Sequence, residues 1–269
     1  MILFVHLMGK KLQSSLLTIF SFLLGICINF LYYTISFYFK SNTIKNIFKI
    51  LKIFQGIEVL EIGGPSRFFY KNIPIYQVAK NVDGINFNNV TTWEGNIKTG
   101  MSYRYFPKKI GRQYIGEASD FKLKKKYKAI ISSNCLEHVA NPLKAIENWL
   151  DHLYTGGSIF LVLPRKETNF DHKRPVTTFT HLLDDFKKNV DESDLTHLDE
   201  IIKLHDYSKD DDNLKIVKKK EIFKNNINFR HMHHHIYDIC LLKQIANFFD
   251  CEIIGYGQVK KNNYIIFKK

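Results

Sequence analysis

Positions 12–39 carry no charged residue, while almost every later stretch mixes apolar with polar side chains. This run of 28 residues exceeds the roughly 20 that cross a bilayer core. Tyr32, Tyr33, Phe37 and Tyr38 gather at its C-terminal end, where an interfacial aromatic belt would lie. The pattern predicts a membrane-inserted hydrophobic helix. The alternatives are a helix packed on the domain, or an extension translated from a misplaced start codon. A cleavable signal peptide fits poorly, because the run is too long for an h-region and no A-x-A site follows. Residues 41–56 then read as a basic amphipathic helix, with Ile44, Ile47, Phe48 and Leu51 against Lys45, Lys49 and Lys52. Lysines 10 and 11 precede the apolar run and Lys40 to Lys52 follow it, so the charge bias leans toward a cytoplasmic C-terminal domain.

From residue 56 onward, apolar strands alternate with amphipathic helices, the pattern of an α/β domain. Strands are expected at 59–62, at 75–87, at 113–118, from Tyr127 into Leu136-Glu137-His138-Val139, at 158–163, and as a closing pair at 251–256 and 263–267. Helices are expected at 142–153 and 238–249. Residues 88–112, polar and rich in turn formers, read as an insertion without regular structure. Residues 165–235 interrupt the sheet pattern a second time.

The first strand ends in Val59-Leu60-Glu61-Ile62-Gly63-Gly64-Pro65-Ser66. Two glycines let backbone approach a ligand, and Pro65-Ser66 offer a turn and a helix N-cap. A dinucleotide fingerprint needs G-x-G-x-x-G, and G-G-P-S-R-F lacks the third glycine. The octapeptide instead resembles the first motif of the class I S-adenosylmethionine-dependent methyltransferases. So does the block Tyr127 to Val139, an apolar strand running into Leu136-Glu137-His138-Val139, followed by Asn141-Pro142 and a helix.

That resemblance, over about residues 56–164 and 236–269, implies a Rossmann-like, doubly wound, seven-stranded sheet with an antiparallel last strand. It implies S-adenosyl-L-methionine as cofactor, held by Glu61, Gly63, Gly64, Glu117, Ala118 and Ser133. The ribose contact is open between Asp83, 19 residues after Gly64, and Asn86 in Gly84-Ile85-Asn86. The domain reading is 1–40 as an anchor, 41–55 as a linker helix and 56–269 as a methyltransferase domain, with 165–235 inserted on the acceptor side.

Composition changes this picture at two points. The formal charge of +13 invites a nucleic-acid or anionic-membrane partner. However, only six of the 39 basic residues are arginine, and eleven acidic residues stand against four lysines between 184 and 212. Nucleic acid is therefore an unfavoured partner. The four cysteines form no C-x-x-C pair, as expected of reduced thiols.

Candidate chemistry on the acceptor side comes from histidine. His138, after the fourth parallel strand, and His172 are the candidate bases. Asp171, Arg174 and His181 are the candidate acceptor contacts, since Asp171-His172-Lys173-Arg174 combines a carboxylate, an imidazole and two cations. No closed zinc pattern is present, as no cysteine pair accompanies the histidines, and no metal ligand is assigned. A His/Asp divalent site stays open. The expected function is methylation of a small-molecule or glycan acceptor at the cytoplasmic membrane face. The alternatives are an RNA or protein methyltransferase and a non-catalytic donor-binding module.

Overall fold

The computed structural model describes residues 47–91, 93–210 and 216–269. The chain forms two compact units, 1–48 and 49–269, and of the first only Ile47 and Phe48 are described. The expected hydrophobic helix at 12–39 therefore lies outside the described residues. Among those described, no helix is long and apolar enough to cross a membrane.

The described chain begins with helix α1 (Ile47–Phe54), the visible part of the expected amphipathic helix. Strand β1 (Glu58–Ile62) follows, then two short helices, α2 (Arg67–Lys71) and α3 (Ile75–Val78), and strand β2 (Asn81–Asn86). The stretch 75–87, expected as one strand, is thus a helical turn and a strand. Pro74 starts the turn because its fixed φ suits a helix entry.

The expected irregular insertion 88–112 is also ordered. It forms a small ribbon of β3 (Val90–Thr91) and β4 (Gly95–Asn96), then a hairpin of β5 (Ser102–Phe106) and β6 (Lys109–Ile115). The third parallel strand therefore begins earlier than the pattern at 113–118 suggested. Strand β7 (Tyr127–Ser133), helix α4 (Pro142–Asp151) and strand β8 (Leu153–Pro164) complete the first half. The insertion contributes α5 (Phe179–Lys188), α6 (Leu198–Leu204), α7 (Ile216–Lys224) and α8 (Asn226–Phe229). Helix α9 (Ile239–Phe248) and strands β9 (Glu252–Val259) and β10 (Asn262–Lys268) close the domain.

The sheet runs β5-β6-β2-β1-β7-β8-β10-β9. Strands β6, β2, β1, β7 and β8 are parallel, whereas β10 is antiparallel to β8 and to β9. This is the expected seven-stranded order with an antiparallel last strand, widened by β5 as an eighth, edge strand. The chain leaves β1 first toward β2 and later returns to β7 on its other side. The order therefore reverses between β1 and β7, and a crevice opens beyond their carboxyl ends.

Alternation along the strands assigns one core to each face. Leu60, Ile130, Ile159, Leu161 and Ile265 meet Leu143, Ile146 and Trp149 of α4 and Leu242 and Ile245 of α9. Phe160 turns to the opposite face, where its ring lies 5.8 Å from Phe54, 5.3 Å from Phe69 and 5.7 Å from Tyr264. Helix entries are capped conventionally: Asn141 accepts from Lys144 N before Pro142, and Asp238 accepts from Leu241 N.

Trp149 links the core to the crevice. It is fully buried, and its Nε1 donates to Ala118 O at 2.8 Å, in the loop after β6. Trp149→Ala is expected to lower unfolding stability by about 3–5 kcal/mol in urea titrations. Trp149→Phe is expected to lose only about 1–3 kcal/mol, chiefly through the lost hydrogen bond to Ala118 O.

Candidate active site

The crevice holds a cavity of about 700 Å³, bounded by the loops after β1, β2, β6 and β7. Gly63, Pro65 and Ser66 form its first wall. Gly63 sits at φ +74°, and a Cβ there would lie 2.6 Å from Cys135 Sγ, so only glycine fits without a shift. Ser66 caps α2, accepting from Phe69 N.

Glu61 stands behind this wall rather than in it. It is fully buried, with Tyr76 Oη at 2.6 Å from Oε2, Tyr103 Oη at 2.6 Å and Ser66 N at 3.1 Å, all donating to the carboxylate. Burial pushes its carboxyl up to about 7, against the opposing effect of the tyrosine and Ser66 donors. Gly64 backs onto the same group, since a Cβ there would meet Glu61 Cδ at 2.2 Å and Tyr103 Oη at 2.3 Å. Neither Glu61 nor Gly64 lines the cavity, so the structure gives both the task of shaping the loop.

Of the two candidates on β2, Asn86 lines the cavity and donates from Nδ2 to Gly64 O at 3.1 Å. Asp83 does not reach it. The β1–β2 register pairs Asp83 with Leu60, so the strand continues three residues beyond it before reaching its carboxyl end. Asp83 instead receives Tyr127 Oη at 2.8 Å, Arg112 N at 2.9 Å and Lys125 Nζ at 3.0 Å. Burial alone would raise its carboxyl, but these donors outweigh it and hold it below the usual range. Asp83 is thus corrected from ligand contact to sheet anchor.

Glu117 and Ala118 line the cavity after β6, and Ser133 lines it after β7. Burial raises the Glu117 carboxyl while Arg230, at 2.5 Å, opposes the shift. His138 also lines the cavity. Its Nδ1 lies 3.0 Å from Met232 O, which assigns the proton to Nδ1 and leaves Nε2 as the ring's lone-pair nitrogen. Burial holds His138 well below the usual histidine range, so its ring is neutral.

The other candidates are elsewhere. Asp171 and Arg174 are 1% exposed and line neither large cavity. Arg174 donates to Asp171 at 3.1 Å, Glu200 at 2.8 Å and His233 O at 2.8 Å, while Asp171 also meets His233 Nδ1 at 2.5 Å. Their charges are consumed internally, which overturns the expectation of acceptor contacts. His172 pairs with Asp206 at 2.8 Å, away from both cavities, and His181 lies beside His197 and Asp185.

A second cavity of about 600 Å³ shares Trp93, Asn134, His138, Lys261 and Asn262 with the first. Pattern reading missed Asn134, whose φ of +51° marks a special turn after β7, and Trp93, which stacks 5.2 Å from His231. It also missed Arg230 and Glu192. Their one signal was charge in a segment that the sheet pattern leaves unassigned.

A family described as a methyltransferase domain matches residues 36–247. The chain belongs to that family. It is a class I S-adenosylmethionine-dependent methyltransferase, in keeping with its strand order. No curated protein shows a significant match. Solved structures of similar fold include an S-adenosylmethionine-dependent methyltransferase from Mesorhizobium loti. It is 9% identical with a TM-score of 0.49, over 86% of this chain and 99% of that one. The N-methyltransferase NodS from Bradyrhizobium japonicum WM9 is 10% identical with a TM-score of 0.40, over 84% and 94%. TehB from Haemophilus influenzae is 12% identical with a TM-score of 0.41, over 84% of this chain and 62% of its own, so this chain spans about three fifths of TehB. At these identities the likeness is one of fold alone.

The first cavity of this methyltransferase fits a nucleoside-bearing cofactor by its own geometry. Its volume falls in the range of small-molecule sites. A glycine that tolerates no Cβ forms one wall, and polar side chains from Asn86, Glu117 and Ser133 stand at successive strand ends.

Glu61→Gln tests the buried carboxyl behind the loop. A group whose pKa rises on folding from 4.5 to about 7 binds more protons folded than unfolded within that window. The parent therefore loses stability relative to the glutamine variant as pH rises through it, by on the order of 3 kcal/mol in all. Urea unfolding of both proteins at pH 5 and pH 8 reads this. A difference that does not change with pH would mean the carboxylate stays charged throughout.

Proposed function

We propose that this methyltransferase transfers a methyl group to a small-molecule or glycan acceptor at the cytoplasmic membrane face, with residues 1–40 as anchor and 41–55 as linker. One observation carries the reading: two cavities, of about 700 and 600 Å³, meet at His138. The first suits the donor, held by Gly63, Asn86, Glu117, Ala118 and Ser133. The second suits an acceptor the size of a sugar or a lipid headgroup. Lys209, Lys261 and Lys219, the last paired with Asp210, line it together with Phe170 and Phe223. That lining favours a hydroxylated acceptor bearing phosphate or carboxylate.

S-adenosylmethionine supplies a methyl group already activated by a sulfonium. The protein's task is alignment, exclusion of water and removal of one proton. His138 Nε2 takes that proton from the acceptor hydroxyl or amine as the new bond to carbon forms. Its Nδ1–H, held by Met232 O, fixes the ring for this role. The acceptor proton would end on Nε2, giving an imidazolium whose Nδ1–H stays on Met232 O.

Incubating the full-length protein with radiolabelled donor and membrane extract, then fractionating lipid, glycan, RNA and protein, is expected to label the lipid or glycan fraction. Label confined to RNA or protein overturns the acceptor class. With an acceptor in hand, His138→Ala is expected to lower kcat by about 10²–10⁴-fold while calorimetric donor affinity stays within a few-fold.

The anchor is tested separately. Full-length protein is expected in the membrane pellet and a chain lacking residues 1–40 in the supernatant, because a charge-free run of 28 residues is costly to expose to water. A soluble, monodisperse full-length protein would refute it.

A further inference from the structure

Four side chains of the inserted segment converge outside both cavities: His181 and Asp185 on α5, His197 at the start of α6 and His235 before α9. Their candidate ligand atoms all lie within 4.8 Å of one another. His181 Nε2 is 3.0 Å from His197 Nε2 and 3.3 Å from Asp185 Oδ2, which is 3.6 Å from His235 Nε2. Four ligands at about 2.0–2.2 Å around a tetrahedral ion stand about 3.3–3.6 Å apart. The observed separations bracket that value.

Protons alone do not satisfy this cluster. Two imidazole nitrogens at 3.0 Å can share one hydrogen at most, and His181 Nε2 cannot donate to His197 and Asp185 at once. Asp185 Oδ2 and His235 Nδ1 are both buried without an aligned hydrogen-bond partner. An orphaned carboxylate oxygen beside three imidazoles is costly unless a cation completes it. His235 reaches the cluster through Nε2, 3.6 Å from Asp185 Oδ2 and 3.1 Å from Ala140 O.

We propose that His181, Asp185, His197 and His235 bind one structural divalent transition-metal ion, with zinc the best match. A set of three nitrogens and one oxygen, closed by four protein ligands, suits zinc in a structural rather than a catalytic role. The ion ties α5 and α6 to the segment 231–238. That segment delivers Met232 O to His138, and His234 N to Glu137 O at 2.7 Å. Metal binding thus braces the wall of the acceptor chamber without entering it. No cysteine takes part, which is why cysteine-based patterns do not reveal the site.

The test is elemental analysis of the full-length protein, purified in detergent without a histidine tag, followed by chelation and titration with zinc alone. About one equivalent of zinc is expected. Its removal is expected to lower Tm, and its return to restore it. His181→Ala and His197→Ala, both at partly exposed positions, are expected to lose the equivalent or weaken zinc binding by at least about tenfold. Both should unfold in chelator at the same temperature as the metal-free parent, which separates ligand loss from misfolding. His172→Ala, paired with Asp206 outside the cluster, is expected to retain the metal. The proposal is overturned if the parent binds no stoichiometric zinc, or if both ligand variants retain it. It is also overturned if the metal is lost only on changing Glu137 or His233, which would put the ion in the neighbouring Glu137–His138–His233 cluster. None of these readouts depends on turnover, so the metal site and the acceptor assignment fail independently.

Discussion

The site's geometry depends on one buried carboxylate. Glu61 sits on the central strand and draws in a hydroxyl from α3, a hydroxyl from the β5–β6 hairpin and an amide from the loop after β1. A carboxyl group with no exposure is unfavourable unless donors surround it. Satisfying those donors brings three separate parts of the chain to one point. The glycine turn is therefore held from behind, and its outer surface is left free for a ligand. Gly64 packs so closely on Glu61 and Tyr103 that a Cβ at that residue would collide with both. The hairpin, an addition at the sheet edge, thus reaches the centre of the site through a single phenol.

How much of this was legible in sequence follows from the range of each interaction. Strand–turn units such as 59–66 and 127–139 announce themselves locally, because apolar runs, glycines and caps lie within a few residues. The contact of Tyr103 with Glu61 spans 42 residues, and nothing near Tyr103 signals it. Asp83 misled for a related reason. Spacing counts residues, whereas the position of a side chain along a strand is set by register, and the register leaves Asp83 level with Leu60. Asn86, the alternative kept open, occupies the strand end.

The acidic and basic quartet after β8 misled in another way. Asp171, Lys173 and Arg174 look like a surface patch when read as composition. In the fold, Arg174 is closed off by two carboxylates and backbone carbonyls, a buried network that defines geometry and leaves no face for a ligand. Sequence order placed these residues in the segment inserted between β8 and α9. It did not show that their partners, Glu200 and His233, come from the same insertion.

Charge balance explains why a neutral imidazole suits the junction of the two cavities. Methyl transfer removes a positive charge from sulfur and releases a proton from the acceptor. If that proton lands on His138, the buried region keeps the same net charge through the reaction, and little electrostatic reorganisation is needed. The neighbouring groups are tuned the same way. Burial pushes the Cys135 thiol up to about 12, so the sulfur lining the cavity stays protonated and is a poor nucleophile. Burial likewise pushes Glu137 up to about 7, which limits a second negative charge beside the imidazole. A thiolate in this position would compete with the acceptor for the methyl group. Burial thus acts on all three groups in one direction, disfavouring thiolate, carboxylate and imidazolium alike, so that a proton accepted by His138 would be held only weakly and passed on readily.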